Sequence, residues 1–211
     1  MARIKAVVFD MDGVLIDAKD WHYEALNDAL KLFGYCISRM DHLTTFDGLP
    51  TRKKLEMLTL DRGLPAGLHG FLNDLKQRYT TELVQQRCRP TFIHEFALSR
   101  LREMGYRLAV ASNSVRATVE LMMERSWLRP YLDLLLSNQD VARGKPDPEI
   151  YLAAAEKLGF APSECLVVED HPHGIRAAQS AGCPVMAVSG VHDVQFSNIL
   201  AAIRRTEGTS K

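Results

Sequence analysis

The sequence predicts an α/β fold: a parallel sheet core with an α-helical domain inserted into it. Three observations predict this. Short apolar runs recur at residues 4–9, 107–111, 132–136, 165–168 and 185–188, each followed by polar or glycine-containing residues. Helical patterns alternate with these runs, as in strand–helix–strand units. One long interval, residues 18–89, carries helical patterns and no convincing strand.

Several of the five runs are rich in β-branched residues, and continuous apolar runs of this length read as strands buried on both faces. Inside the interval, residues 21–33, 52–60 and 68–86 have helical patterns. Beyond it, residues 115–125 place Val115, Val119, Met122 and Met123 on one helical face. A helix over 148–158 starts with Asp147-Pro148, an N-cap followed by proline at the first helical position. It stops before Gly159, a C-cap residue, and a helix over 174–181 stops before Gly182 in the same way. The expected domains are a core of residues 1–17 and 90–211 and a helical cap of residues 18–89.

Composition narrows the function classes. Lys plus Arg number 26 and Asp plus Glu number 26, so no charge excess points to nucleic acid or an anionic membrane. The 211 residues, 46% hydrophobic and 25% charged, suit a soluble globular chain with a sizeable core. Cys36, Cys88, Cys165 and Cys183 form no CxxC pair and have no histidine at zinc-ligand spacing, so reduced thiols are expected. The opening MARIKAVVFDMDG lacks the pattern of a signal peptide, and no apolar stretch approaches a membrane span. By elimination the expected location is cytoplasmic, as a monomer or weak homodimer.

Four clusters carry candidate chemistry. Asp10 and Asp12 follow the first strand, where side chains project into the crevice at its carboxyl end, and Gly13 allows a sharp turn after them. Ser112-Asn113-Ser114 follows the second strand; its hydroxyl and amide groups suit a phosphate, with a plain N-cap as the plainer alternative. Gly144-Lys145-Pro146-Asp147-Pro148 holds a lysine in a stiff loop, either as a fixed cation for phosphate and carboxylate or as a surface lysine. Glu169-Asp170 follows the fourth strand, as ligands for a hard cation such as Mg²⁺ or as solvated acids. Singly these are ambiguous. Jointly, all four follow predicted strands and converge on one edge of one sheet.

The ordered segments DMDGV, ASNS, GKPDPE and VVEDHPHGIRAA resemble the haloacid dehalogenase-like (HAD) hydrolase superfamily. Their spacing is similar to its β-phosphoglucomutase and phosphoglycolate phosphatase branch. The resemblance implies a Rossmann-like, HAD-like core and a helical cap. It implies Asp10 as nucleophile and Asp12 as general acid, then base. Ser112 would bind the transferring phosphoryl group with backbone support from Asn113, and Lys145 would balance charge around Asp10. Glu169 and Asp170 would hold Mg²⁺ together with Asp10 and the main-chain carbonyl of Asp12.

The chemistry is consistent with those roles. A carboxylate attacking a phosphate dianion meets repulsion of roughly 1 kcal/mol per charge pair at about 4 Å in water, and roughly 4 at an effective dielectric of about 20. A divalent cation and a fixed lysine remove that obstacle. Asp12 must hold a proton for the leaving oxygen and then take one from water.

By the same resemblance the cap selects the substrate. His22 stands where this branch often carries a histidine that contacts Asp12, and a surface histidine is the plainer alternative. Residues 46–52 resemble the branch's specificity loop, with Arg52 as its basic residue. Lys53 and Lys54 are expected to be solvated. Lys76 lies near a cap-lysine position of some mutases, but the surrounding pattern matches poorly. Ala18 stands where Ser or Thr is common. His171 and His173 read as a polar loop before a helix. The expected activity is Mg²⁺-dependent hydrolysis of a small phosphomonoester, a sugar phosphate or related metabolite. The alternatives are a phosphomutase of the β-phosphoglucomutase type and, for a different class, a binding protein that keeps the fold. A dehalogenase has no use for metal or for Asp12, and a phosphonatase needs a Schiff-base lysine in the cap.

Overall fold

The computed structural model describes residues 3–46 and 48–208. In chain order the elements are β1 (Ala6–Phe9), α1 (Lys19–Lys31), α2 (Arg39–Asp41), α3 (Thr51–Arg62), α4 (His69–Arg87), α5 (Phe92–Glu103), β2 (Arg107–Ala111), α6 (Arg116–Arg125), β3 (Leu134–Leu136), α7 (Glu149–Leu158), β4 (Cys165–Glu169), α8 (Pro172–Ser180), β5 (Val185–Ala187) and α9 (Phe196–Thr206). They divide into two compact units, Met1–Asp17 with Cys88–Lys211, and Ala18–Arg87.

The first unit is built on a parallel sheet of strand order β3-β2-β1-β4-β5. The central strand β1 pairs Phe9 with Val110 of β2 and with Val168 of β4, so three strands end at one level. Ala6, Val8, Ala109, Ala111, Cys165 and Val167 face one way, into a core completed by Ile150, Tyr151, Ala154, Ala155, Ala177 and Ala178 of α7 and α8. Small side chains on both sides let those helices approach closely. Val7, Phe9, Leu108 and Val110 are equally buried and, by strand alternation, face the other way. Burial on both faces is why these strands are continuous apolar runs.

Expected and observed ends agree to a few residues, as they do at fraying termini. Helix α7 starts at Glu149, yet Asp147 still caps it: its Oδ1 accepts from the Glu149 N–H at 3.1 Å. Gly159 closes that helix at φ 78°, in the left-handed region. Helices α5 and α9 are additional to the sequence reading. In α5 the pattern is hidden because Phe92 and Phe96 are exposed while His94 is buried.

The second unit is wholly helical among its described residues. Leu26 and Leu30 of α1, Leu55 and Leu58 of α3, and Leu72 and Leu75 of α4 form its core, with Ile37, Phe46 and Leu64 from the connections. Ala18 precedes α1 without a side-chain cap. Gly63, at φ 70°, ends α3. Among the described residues no helix is long and apolar enough to cross a membrane.

Candidate active site

The crevice lies at the carboxyl ends of β1, β2 and β4. After Phe9 the chain enters a tight loop: the N–H of Gly13 reaches Ile16 O at 2.7 Å, and that of Ile16 reaches Met11 O at 2.9 Å. Gly13 makes the turn at φ 87°. This places Asp10 on the strand end and Asp12 at the start of the loop. Asp12 Oδ2 accepts from the Ser114 hydroxyl at 2.9 Å. The sequence reading placed Ser114 in the hydroxyl cluster but not beside Asp12, and no local signal marks a contact across 102 residues of chain.

The hydroxyl cluster after β2 is not the cap of α6, which starts at Arg116 with Val115 as its uncapped first neighbour. Ser112 is buried, and its Oγ accepts from the Ser114 N–H at 3.0 Å, a local turn that curls the segment. The Asn113 side chain grips the loop of Lys145 instead. Its Oδ1 accepts from the Lys145 N–H at 3.0 Å, and its Nδ2 donates to the Lys145 carbonyl at 3.1 Å. Gly144 makes room for this grip, since a Cβ there would lie 2.6 Å from Asn113 Oδ1.

Held this way, Lys145 is buried and joins two acids. Its Nζ lies 2.7 Å from Asp10 Oδ1 and 2.5 Å from Glu169 Oε1. Tyr151 of α7 donates its hydroxyl to Glu169 Oε1 at 2.6 Å. Glu169 Oε2 accepts from the N–H groups of Asp170 (3.1 Å) and His171 (3.3 Å). His171 caps α8, its Nδ1 accepting from the His173 N–H at 3.2 Å, which accords with the plain helix-start reading.

Electrostatics follow from one lysine among several acids. Burial, the adjacent Glu169 charge and Asp12 push Asp10 up to about 8, against the pull of Lys145. Burial alone would also raise Glu169, but Lys145 and the Tyr151 hydroxyl outweigh it and hold that acid below its ordinary value. For Lys145 burial opposes the charge, and Asp10 with Glu169 override it, so its pKa is raised. The cluster thus carries surplus negative charge wherever Asp10 is ionised. Asp10, Glu169 and Asp170 each offer a carboxylate oxygen, all within 4.8 Å of one another. An all-oxygen anionic set fits a hard divalent cation such as Mg²⁺ and not a thiophilic one.

In the helical unit, Arg52 is exposed on α3 and pairs with Glu56 at 3.0 Å. Asp47, part of the expected specificity loop, lies outside the described residues. Lys54 corrects an expectation: it is buried, whereas Lys53 is exposed as expected. The reason is helical phase, because Lys54 shares the inward face with Leu55 and Leu58. Lys76 is buried too, with its Nζ 3.1 Å from His22 Nδ1, so two residues 54 apart in the chain meet. The same unit has a cleft of about 460 Å³ on α1, but its charges are already matched: Asp20 with Arg39, Asp28 with Lys31 and Glu24 with Arg87.

A parallel sheet whose central strands end in a carboxylate–lysine–carboxylate cluster defines an α/β enzyme with its site at the strand ends. The family model described as haloacid dehalogenase-like hydrolase matches residues 7–188, and the chain belongs to that family. A phosphorylated carbohydrates phosphatase of Thermotoga maritima is 31% identical over 182 residues, covering 85% of this chain and 82% of the relative. Among solved structures, β-phosphoglucomutase from Clostridium difficile superposes with a TM-score of 0.83 at 19% identity, over 97% of this chain and 99% of that one. CbbY from Rhodobacter sphaeroides, in complex with phosphate, gives 0.78 at 24% identity, over 92% and 91%. At such identities these two likenesses speak for the fold.

Proposed function

We propose that this protein is a Mg²⁺-dependent phosphatase that hydrolyses a small phosphomonoester, a sugar phosphate or related metabolite, through an aspartyl-phosphate on Asp10. The observation that carries the reading is the gathering of Asp10, Lys145, Glu169 and Asp170 at one sheet edge, with Asp12 bound by Ser114 beside them. The printed activity of the Thermotoga maritima relative supports the substrate class.

On this reading Asp10, Glu169, Asp170 and the main-chain carbonyl of Asp12 supply the oxygens for Mg²⁺. The cation, when bound, offsets repulsion between carboxylate and phosphate. Lys145 does the same from the protein side and keeps Asp10 oriented. Asp10 attacks phosphorus: an Asp10 O–P bond forms as the bond to the leaving oxygen breaks, and Asp12 delivers the proton that oxygen needs. Asp12 then accepts a proton from water, which attacks the same phosphorus, frees inorganic phosphate and regenerates Asp10. Ser112 and the Asn113 N–H hold the phosphoryl oxygens. The helical unit serves as the cap that excludes water and selects the substrate, with His22 and Arg52 as its contacts.

One observation favours a second reading, a phosphomutase. The half-buried Lys76–His22 pair is a structured polar feature of the helical unit, of a kind suited to holding a sugar phosphate. The two readings separate in one assay. Wild type and Asp10→Asn are compared on a panel of phosphate esters with and without Mg²⁺, including sugar 1-phosphates with a bisphosphate primer. Phosphate release without a primer marks the phosphatase, and isomerised sugar phosphate only with a primer marks the mutase. Undiminished turnover by Asp10→Asn refutes both.

A further inference from the structure

Helix α5 is apolar on both of its faces. Its inner face, Ala97, Leu98 and Leu101 with His94, is buried. Its outer face carries Phe92, Ile93 and Phe96, with Met104 at the C-cap, and these are exposed at 79%, 43%, 44% and 48%. A surface helix ordinarily turns charged and polar residues outward, and a helix that is apolar all round is one that is covered all round. The outer aromatics are also ordered. The rings of Phe92 and Phe96 stack, with centroids 5.7 Å apart and an interplanar angle of 24°. Phe196, the first residue of α9, meets Phe96 edge-on, at 6.0 Å and 84°. The patch thus spans two packed helices of the sheet-bearing unit. Its rings hold one another in place, which lowers the ordering cost of covering them.

The charged groups on this face sit toward one end of it. Arg100 pairs with Glu103, and its guanidinium carbon lies 6.0 Å from the centroid of the Phe196 ring. Phe92, Phe96 and Arg100 follow one another at intervals of four residues, so they share one stripe with Phe96 at its midpoint. A second α5 laid antiparallel about Phe96 sets Phe96 against its own copy. It also sets Phe92 of each copy against Arg100 of the other. A guanidinium over an aromatic face is a favourable contact, and Arg100 already makes one within its own chain. Crosswise pairing of this kind is what an isologous interface requires. The chain carries 26 basic and 26 acidic side chains, so two copies approach without net repulsion. At about 200 Å² for an aromatic side chain and somewhat less for Ile and Met, the four exposed side chains offer roughly 400 Å². Two copies with their polar rims then bury about 1,000 Å², at the low end for specific interfaces.

We propose that the outer face of α5, with Phe196 of α9, is an interface between two copies of this chain, and that the protein forms a weak symmetric dimer through it. Phe96 lies at the axis, and Phe92 and Arg100 pair crosswise on either side of it. The small area sets a dissociation constant on the order of 10–100 μM. None of these residues belongs to the carboxylate–lysine crevice, so the proposal stands or falls independently of the activity.

The test is sedimentation velocity on the full chain from about 1 to about 500 μM, where a monomer–dimer equilibrium is expected. Phe96→Lys puts like charges at the axis and should weaken association by about 10-fold or more. Should Phe96→Lys not fold, Phe92→Ser alters the most exposed ring of the stripe and carries the same expectation. Phe71→Ser is the control: Phe71 is an exposed aromatic of the helical unit, and its loss should leave the equilibrium unchanged. Register is read by cross-linking in a background where the exposed Cys36 is replaced by serine. There Phe96→Cys should be joined into a dimer by a short bismaleimide, and Leu152→Cys, at an exposed position on α7, should not. A chain that stays monomeric at the highest concentration overturns the proposal, as does an assembly larger than a dimer. So does a dimer that survives Phe96→Lys or Phe92→Ser, one that is lost in Phe71→Ser, or equal cross-linking at the two cysteine positions.

Discussion

Gly174→Ala isolates the geometry around Glu169. Gly174 lies in the first turn of α8, and on helix propensity alone alanine there would stabilise by about 0.5–1 kcal/mol. The added methyl would land on the Glu169 carboxylate. Neither side gives easily: the backbone is helical, and the carboxylate is held by Lys145, Tyr151 and two amides. Overpacking of this kind costs about 1–3 kcal/mol. Giving up one hydrogen bond to the charged group adds roughly 1.5–3 kcal/mol. Less the propensity gain, the expected loss is about 2–5 kcal/mol, or a Tm lower by roughly 4–20 °C at about 2–4 °C per kcal/mol. Turnover falls further, because Lys145 moves with Glu169, and a displacement of about 1 Å can cost 100-fold. The control is Gly70→Ala in α4, where nothing lies within 4 Å of the added carbon and propensity acts alone. Thermal melts of the metal-free protein and phosphate release from a generic aryl phosphate are the measurements. A Gly174→Ala protein that melts and turns over like Gly70→Ala would refute the argument.

Four further outcomes are expected. Asp10 binds its proton up to about pH 8 in the metal-free fold, against 3.8 for an ordinary aspartate. The folded state thus holds more protons than the unfolded one between those values, and this group's contribution to stability declines as pH rises through that window. Melts of Asp10→Asn should therefore gain on wild type as pH increases toward 8, and a gap that narrows contradicts the assignment. By the same linkage, calorimetry in buffers of different ionisation enthalpy should show Mg²⁺ binding release close to one proton at pH 7. Ser114→Ala removes the bond to Asp12 Oδ2 and should lower kcat about 10-fold with Mg²⁺ affinity nearly intact; equal losses in both would show that Ser114 acts elsewhere. Trp127 holds φ 60° at the end of α6 and is 64% exposed, so Trp127→Gly should raise stability by about 1–2 kcal/mol with activity unchanged, and a lower Tm counts against the strain.

The sheet was open to sequence reading because its strands are buried on both faces, and that burial writes itself locally as continuous apolar runs. The chemical residues were legible for a related reason. Asp10, Ser112 and Glu169-Asp170 directly follow or end strands, and a parallel sheet lines up all its carboxyl ends. Lys145 needed the loop context of Gly144 and Pro146 as well. Helix α5 was hidden by apolar residues facing outward. Lys54 was misjudged because a lysine's burial depends on which helical face meets the core. Ser114 was legible only as a member of the hydroxyl cluster, and Tyr151 gave no sign at all. Each is an ordinary residue in its own segment and becomes part of the site only by hydrogen bonding to an acid from a different strand. The positions of most strands and the candidate residues at their ends are thus legible in local sequence. Which acid shares the lysine, which oxygen stays open and which glycine must have no side chain depend on distances between segments far apart in the chain. Only the packed sheet and its helices set those distances.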